Sequence, residues 1–103
     1  MNLSIKFVVP LLFFMALIMF ANAQADVKQD KAIQLNQQGI IMSLQQIIDK
    51  ATSIQPGSIL ETDLEEENGL YIYELEILDD KGQVWELELN AQSGELLEIE
   101  QED

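Results

Sequence analysis

Three carboxylate pairs, Glu74/Glu76, Glu86/Glu88 and Glu98/Glu100, recur in three successive short runs, with one apolar residue between the members of each pair. Carboxylates so spaced can do three kinds of work. Two can divide the acid and nucleophile roles at a glycosidic bond, provided burial raises the pKa of one. A group of them can enclose a hard cation. An open array can draw in a basic protein or peptide. Alternation puts all six on the wet side of a sheet, where no cleft raises a carboxyl and no cage of ~6–8 oxygens closes around calcium. Solubility alone explains a wet side, but it does not explain why this one is nearly all glutamate. Aligned like charges on neighbouring strands repel, and interleaved lysine would cost less. These six glutamates are the candidate binding residues: the surface for a protein partner is this acidic face or a sheet edge, and the alternative is a face that weakly holds cations or basic peptides.

Other chemistry lacks its reagents. The 103-residue chain has no histidine and no cysteine, so imidazole and thiolate are missing both as catalysts and as transition-metal ligands. Its five serines have no evident activating base. No glycine-rich phosphate loop occurs, and Asp79-Asp80-Lys81-Gly82 lacks the spacing and closing glutamate of a calcium loop. The expectation is a protein that is not an enzyme, with no catalytic residues, no metal site and no cofactor.

The elements that position the carboxylates follow from periodicity. Leu60, Thr62 and Leu64 alternate with Glu61, Asp63 and Glu65 before an Asn68-Gly69 turn signal. Tyr71, Tyr73, Leu75 and Ile77 then share one face, as do Trp85, Leu87 and Leu89, and the reading places Leu97 and Ile99 likewise, with Leu96 on the acidic side. Asp80-Lys81-Gly82 and Asn90 to Gly94 supply the intervening turns. Upstream, Ser43 and Gln46 form a capping box ahead of Leu44, Ile47, Ile48, Ala51 and Ile54, one stripe of an amphipathic helix that Pro56-Gly57 stops. Packing that stripe on the apolar sheet face buries both. The fold class is α+β: an amphipathic helix on one face of an antiparallel meander of three to four strands, with Trp85 in the core between them. Asp26 to Gln38 reads as a weak helix, or equally as a disordered leader, closed by Gly39.

Before this lies a different composition. Lys6, the apolar run Phe7–Phe20 and the small residues Ala21, Ala23 and Ala25 have the order of a cleaved secretory signal peptide. Cuts after Ala23 and after Ala25 both fit. The run is shorter than the ~20 residues of a spanning helix, so no stable membrane anchor is expected after cleavage. With no cysteine, the segment is not a lipoprotein signal. The division is 1–23 signal peptide, 24–39 polar leader and 40–103 globular domain. Beyond Ala25 stand nineteen acids against four lysines, a net charge of −15 that repels nucleic acid and anionic lipid.

Gly69, Tyr73-Glu74, Asp79 or Asp80, Gly82 and Gly94-Glu95, in that order within alternating strands, resemble the PepSY domain. The stretch Gln37–Glu65, an apolar helix flanked by glycines, resembles the preceding part of small single-domain members. Asn90 and Ser93 stand where the family usually has aspartate and threonine, and both keep an oxygen for turn hydrogen bonding. The resemblance implies a periplasmic or secreted, non-catalytic binding or regulatory module. PepSY domains occur in propeptides of secreted thermolysin-type metalloproteases, in membrane proteins, and as lone periplasmic proteins associated with two-component signalling. The implied partner is an unidentified protein, with a protease or a sensor's outer domain as the two classes; the resemblance carries over no catalytic residue.

Overall fold

In the computed structural model, which describes residues 25–102, the chain runs β1 (Ala25–Asp26), α1 (Gln29–Gln37), α2 (Leu44–Ile54), β2 (Ser58–Glu67), β3 (Leu70–Leu78), β4 (Val84–Asn90) and β5 (Leu96–Glu102). The signal peptide expected over residues 1–23 lies outside the described residues. The helix α2 starts where its cap dictates. Ser43 Oγ accepts the Gln46 N–H at 3.2 Å, and Gln46 Oε1 accepts the Ser43 N–H at 3.0 Å. Ile47 and Ala51 are fully buried from this helix, and Ile48 packs beside them. The leader is a defined helix, α1, and its Leu35 reaches the core.

The sheet is a five-stranded antiparallel meander in the order β1-β2-β3-β4-β5. The fold is α+β as the periodicity implies, with one strand more than the upper count. That strand is the two-residue β1, too short to leave a period in the sequence. The Asn68-Gly69 turn has positive φ at both residues, 51° and 81°, which sets the right twist for a tight hairpin between β2 and β3. The core lies between α2 and the sheet, where Leu75, Ile77, Leu87 and Leu89 are fully buried. Tyr73 Oη donates to the Met42 carbonyl at 3.3 Å, and the Met42 N–H donates to the Ala91 carbonyl at 2.8 Å, tying the start of α2 to the sheet. Gly57 is glycine because a Cβ there would collide with the Leu78 backbone.

Two register shifts correct the simple alternation. One falls between Ile59 and Glu61; Ile59 packs against the core and Leu60 is 50% exposed, outside it. The other falls on β5, where Leu96 to Glu98 spans only the step from Glu88 to Leu89 on β4 and Leu97 is the extra residue. It brings Leu96 against the core and leaves Leu97 exposed, the reverse of the sequence expectation. Leu44 and Ile54, at the two ends of the α2 stripe, are also exposed, and Leu44 lines an open groove with Leu64 and Tyr73. Trp85 is on the expected face but at its rim. It is half-buried opposite Ile77, and its indole N–H donates to Asp79 Oδ2 at 2.9 Å.

Candidate functional site: an acidic open face

On the side of the sheet away from α2, register turns the alternating glutamates into rows. Glu61, Glu76, Glu86 and Glu100 lie directly opposite one another across β2, β3, β4 and β5. Asp63, Glu74, Glu88 and Glu98 form a second row beside it. Strands are spaced ~4.8 Å, so each charge stands well inside a Debye length of its neighbours. Glu65 and Glu102 extend the surface at two corners, opposite Ile72 and Val84. No lysine interrupts the rows: Lys28, Lys31 and Lys50 belong to the helical side and Lys81 to the β3–β4 turn.

All six sequence-predicted residues, Glu74, Glu76, Glu86, Glu88, Glu98 and Glu100, lie on this surface, and Glu61, Asp63, Glu65 and Glu102 join them. The β2 acids had the same alternation, and the Asn68-Gly69 hairpin already made β2 the neighbour of β3. What strand patterning alone did not give was the register that sets Glu61 opposite Glu76. The face is not wholly polar. Ile72 is 4% exposed, between Glu65 and Asn90 in the neighbouring strands and apart from the main core.

Electrostatics record the crowding. Partial burial is the main cause raising the carboxyls of Glu65, Glu74 and Glu86 above the ordinary glutamate range, and neighbouring carboxylates push the same way. Glu61 is raised first by the charge of Asp63, Glu100 by a carboxyl–carboxyl hydrogen bond with Glu98, and Glu102 by one with Glu86. Glu65 Oε2 is closed off from solvent with no donor facing it, and a proton on Glu74 is the donor within reach of that carboxyl. A raised folded-state pKa means that the native protein holds more protons than the unfolded chain. Stability from these groups is therefore full below the unfolded value of 4.5 and is lost as pH rises through the raised folded values. Asp79 runs the other way. Its hydrogen bond from Trp85, followed by backbone donors at Lys81 and Gln83, lowers its pKa, so its contribution is lost only as pH falls below 3.8. The melting temperature is accordingly expected to rise as pH falls from neutral toward the ordinary glutamate value of 4.5, because the raised glutamates take up protons in the folded protein first while Asp79, whose carboxyl is lowered, stays ionised. A thermal melt series in constant salt checks this; a fall over that interval would contradict the row geometry.

The turns that hold the strands in register are built from side-chain acceptors. Asp79 Oδ1 takes the N–H groups of Lys81 and Gln83 at 2.9 and 2.8 Å. Asn90 Oδ1 takes those of Gln92 and Ser93 at 2.9 and 3.1 Å, and Ser93 Oγ takes that of Glu95 at 3.2 Å. Asn90 and Ser93 thus supply the turn-holding oxygens that the sequence leads one to expect of them. Gly94, at φ 76°, is in the left-handed region that favours glycine, and a side chain there would also displace the Lys50 stem. Among the described residues no group of three or more acids is placed to hold a metal ion. On the other side, a groove of about 720 Å³ runs between α1 and β2, lined by Val27, Ala32, Ile33, Leu44, Leu64 and Tyr73 among others.

The model of the PepSY family, "Peptidase propeptide and YPEB domain", matches residues 41–100, more than half of the sequence, and the chain belongs to that family. A crystal structure of a candidate lipoprotein from Clostridium difficile 630 is similar in fold, with a TM-score of 0.57 and 27% identity. The match covers 61% of this chain and 41% of that one, so this chain spans well under half of its length. No curated protein matches the sequence. Family membership defines a propeptide-like, regulatory module of a generally non-catalytic kind, found in extracellular or envelope-associated proteins. Among the described residues no helix is long and apolar enough to cross a membrane.

Proposed function

We propose that the protein is an exported, non-catalytic binding module whose acidic open face docks on a cationic surface of a protein partner. A protease or the outer domain of an envelope sensor is the partner class that family membership suggests. The observation that carries the reading is the pair of four-carboxylate rows, in which every cross-strand neighbour is a like charge. Such pairs destabilise a sheet. Solubility would be served equally by mixed charge, whereas a cationic partner relieves the repulsion only if the rows are unmixed. Of the two signal-peptide cuts, the one after Ala23 would keep both residues of β1, and the one after Ala25 would remove half of it.

Thermal melts with added oligolysine, sodium chloride and calcium chloride, the two salts at equal ionic strength, test the reading. Oligolysine is expected to raise the melting temperature saturably, by mass action on the folded state, and the effect should vanish in high salt. Calcium should exceed sodium only modestly. A large, saturable calcium shift that Glu74→Gln with Glu86→Gln abolishes would make the face a cation site instead.

A further inference from the structure

The two edges of the sheet are unlike. The β2 edge is partly closed: β1 pairs with Glu65 and Glu66, and the Val27 N–H donates to the Leu64 carbonyl at 2.9 Å. Among the described residues no strand pairs with the outer edge of β5 along its whole length, Leu96–Glu102. Every second residue of such an edge points its N–H and C=O outward, a template for one more strand. The side chains along it sort by face. Glu98, Glu100 and Glu102 stand on the acidic side, while Ile99, on the core side and opposite Leu87, is 39% exposed. We infer that the β5 edge pairs with an extended segment of a partner protein in which cationic residues alternate with apolar ones. This inference rests on the proposed docking of a cationic partner on the open face, and it adds how the partner is held.

Charge complementarity selects that occupant. Each carboxylate row ends at β5, so a sixth strand carrying lysine or arginine on the acidic side continues both rows with the opposite sign. Its alternate residues, on the other side, cover Ile99 and extend the apolar face beside it. A second copy of this chain fits poorly. Pairing β5 with β5 would set Glu98, Glu100 and Glu102 of one copy against the same acids of the other, extending the rows with like charge. The acids thus guard the edge against self-association while leaving it open to a basic strand. Main-chain pairing supplies affinity in this mode, and the alternating side chains supply specificity.

The test titrates the isotope-labelled full-length protein with a synthetic peptide alternating lysine with valine, read by amide shifts and hydrogen exchange. Two comparison peptides are the same sequence N-methylated on alternate residues, in both registers, and one of equal composition with its lysines in a block. The alternating peptide is expected to slow exchange of alternate β5 amides, and N-methylation of the pairing edge should weaken binding by about tenfold or more, from lost main-chain hydrogen bonds. If both N-methylated forms or the blocked peptide bind as tightly, the partner is held by charge alone, and the pairing is overturned while the docking reading stands. If no cationic peptide binds, both fall. Protection confined to α1 and β2 would move the site to the groove and overturn the pairing, as would a sedimenting dimer whose β5 amides are protected before peptide is added.

Discussion

Leu87→Ala is expected to leave most of the protein unfolded at room temperature. Leu87 has no exposed surface, and its strand neighbours on the same face are Leu75 of β3 and Ile99 of β5. Truncating a buried leucine costs ~2–5 kcal/mol through lost transfer energy and the cavity left behind. A single core in a domain of this size rarely supplies more than ~3–5 kcal/mol, and there is no cysteine to add a disulfide. The two magnitudes are nearly equal, so one truncation removes most of the margin. The single tryptophan, Trp85, half-buried at the rim, reports the loss as a red-shifted emission, and far-ultraviolet circular dichroism should lose its sheet signal. Leu60→Ala is the informative contrast. Strict alternation would bury Leu60 beside Leu64, but the register shift leaves it half-exposed, and its truncation should stay within ~0.5 kcal/mol. Equal losses for the two variants would show that β2 has no bulge.

The second large effect has the opposite sign. Replacing Glu74, Glu76, Glu86 and Glu88 with glutamine should raise the melting temperature at neutral pH while weakening association with a cationic partner. These four are the middle members of the two rows, on the central strands β3 and β4, and each has like charges on both flanking strands. Glutamine keeps the stem and the hydrogen-bonding capacity while removing the charge, so the change isolates repulsion. The gain should shrink as salt rises, and shrink as pH falls, because Glu74 and Glu86, whose carboxyls are raised, lose their charge in the parent as they take up protons. A variant that melts lower than the parent in low salt would mean that the rows stabilise the sheet, contrary to their geometry.

Periodicity carried the meander, the capped helix and the six central glutamates, because each depends only on residues within a few positions of one another. Ser43 and Gln46 named the start of α2, and Asn68-Gly69 named the hairpin. What local pattern did not reveal was set by tertiary register. Leu60 and Leu97 each sit at a shift of one residue, and a slip of one reverses a side chain's face. β1 exists only because Ala25 and Asp26 find Glu66 and Glu65 forty residues away. Leu44 looked like core from its spacing on the helix, but it stands on the open groove beside Leu64 and Tyr73 and is exposed. For the site, the alternation showed that carboxylates share a face. The register added which acids oppose which, and so brought Glu61, Asp63, Glu65 and Glu102 into the surface.

The central claim is that arrangement, rather than net charge, makes the face a docking surface, and one comparison addresses it directly. The variant with glutamine at Glu74, Glu76, Glu86 and Glu88 is set against one of identical net charge, Asp30→Asn, Asp49→Asn, Asp80→Asn and Glu95→Gln, whose changes lie in the helices and turns. Binding of the alternating lysine–valine peptide to each is measured by titration calorimetry in the same buffer. The face variant is expected to lose about tenfold or more in affinity, and the charge-matched variant should stay within about threefold of the parent. Equal losses in both would contradict the account, since net charge alone would then explain the attraction and the rows would be only the wet side of a sheet.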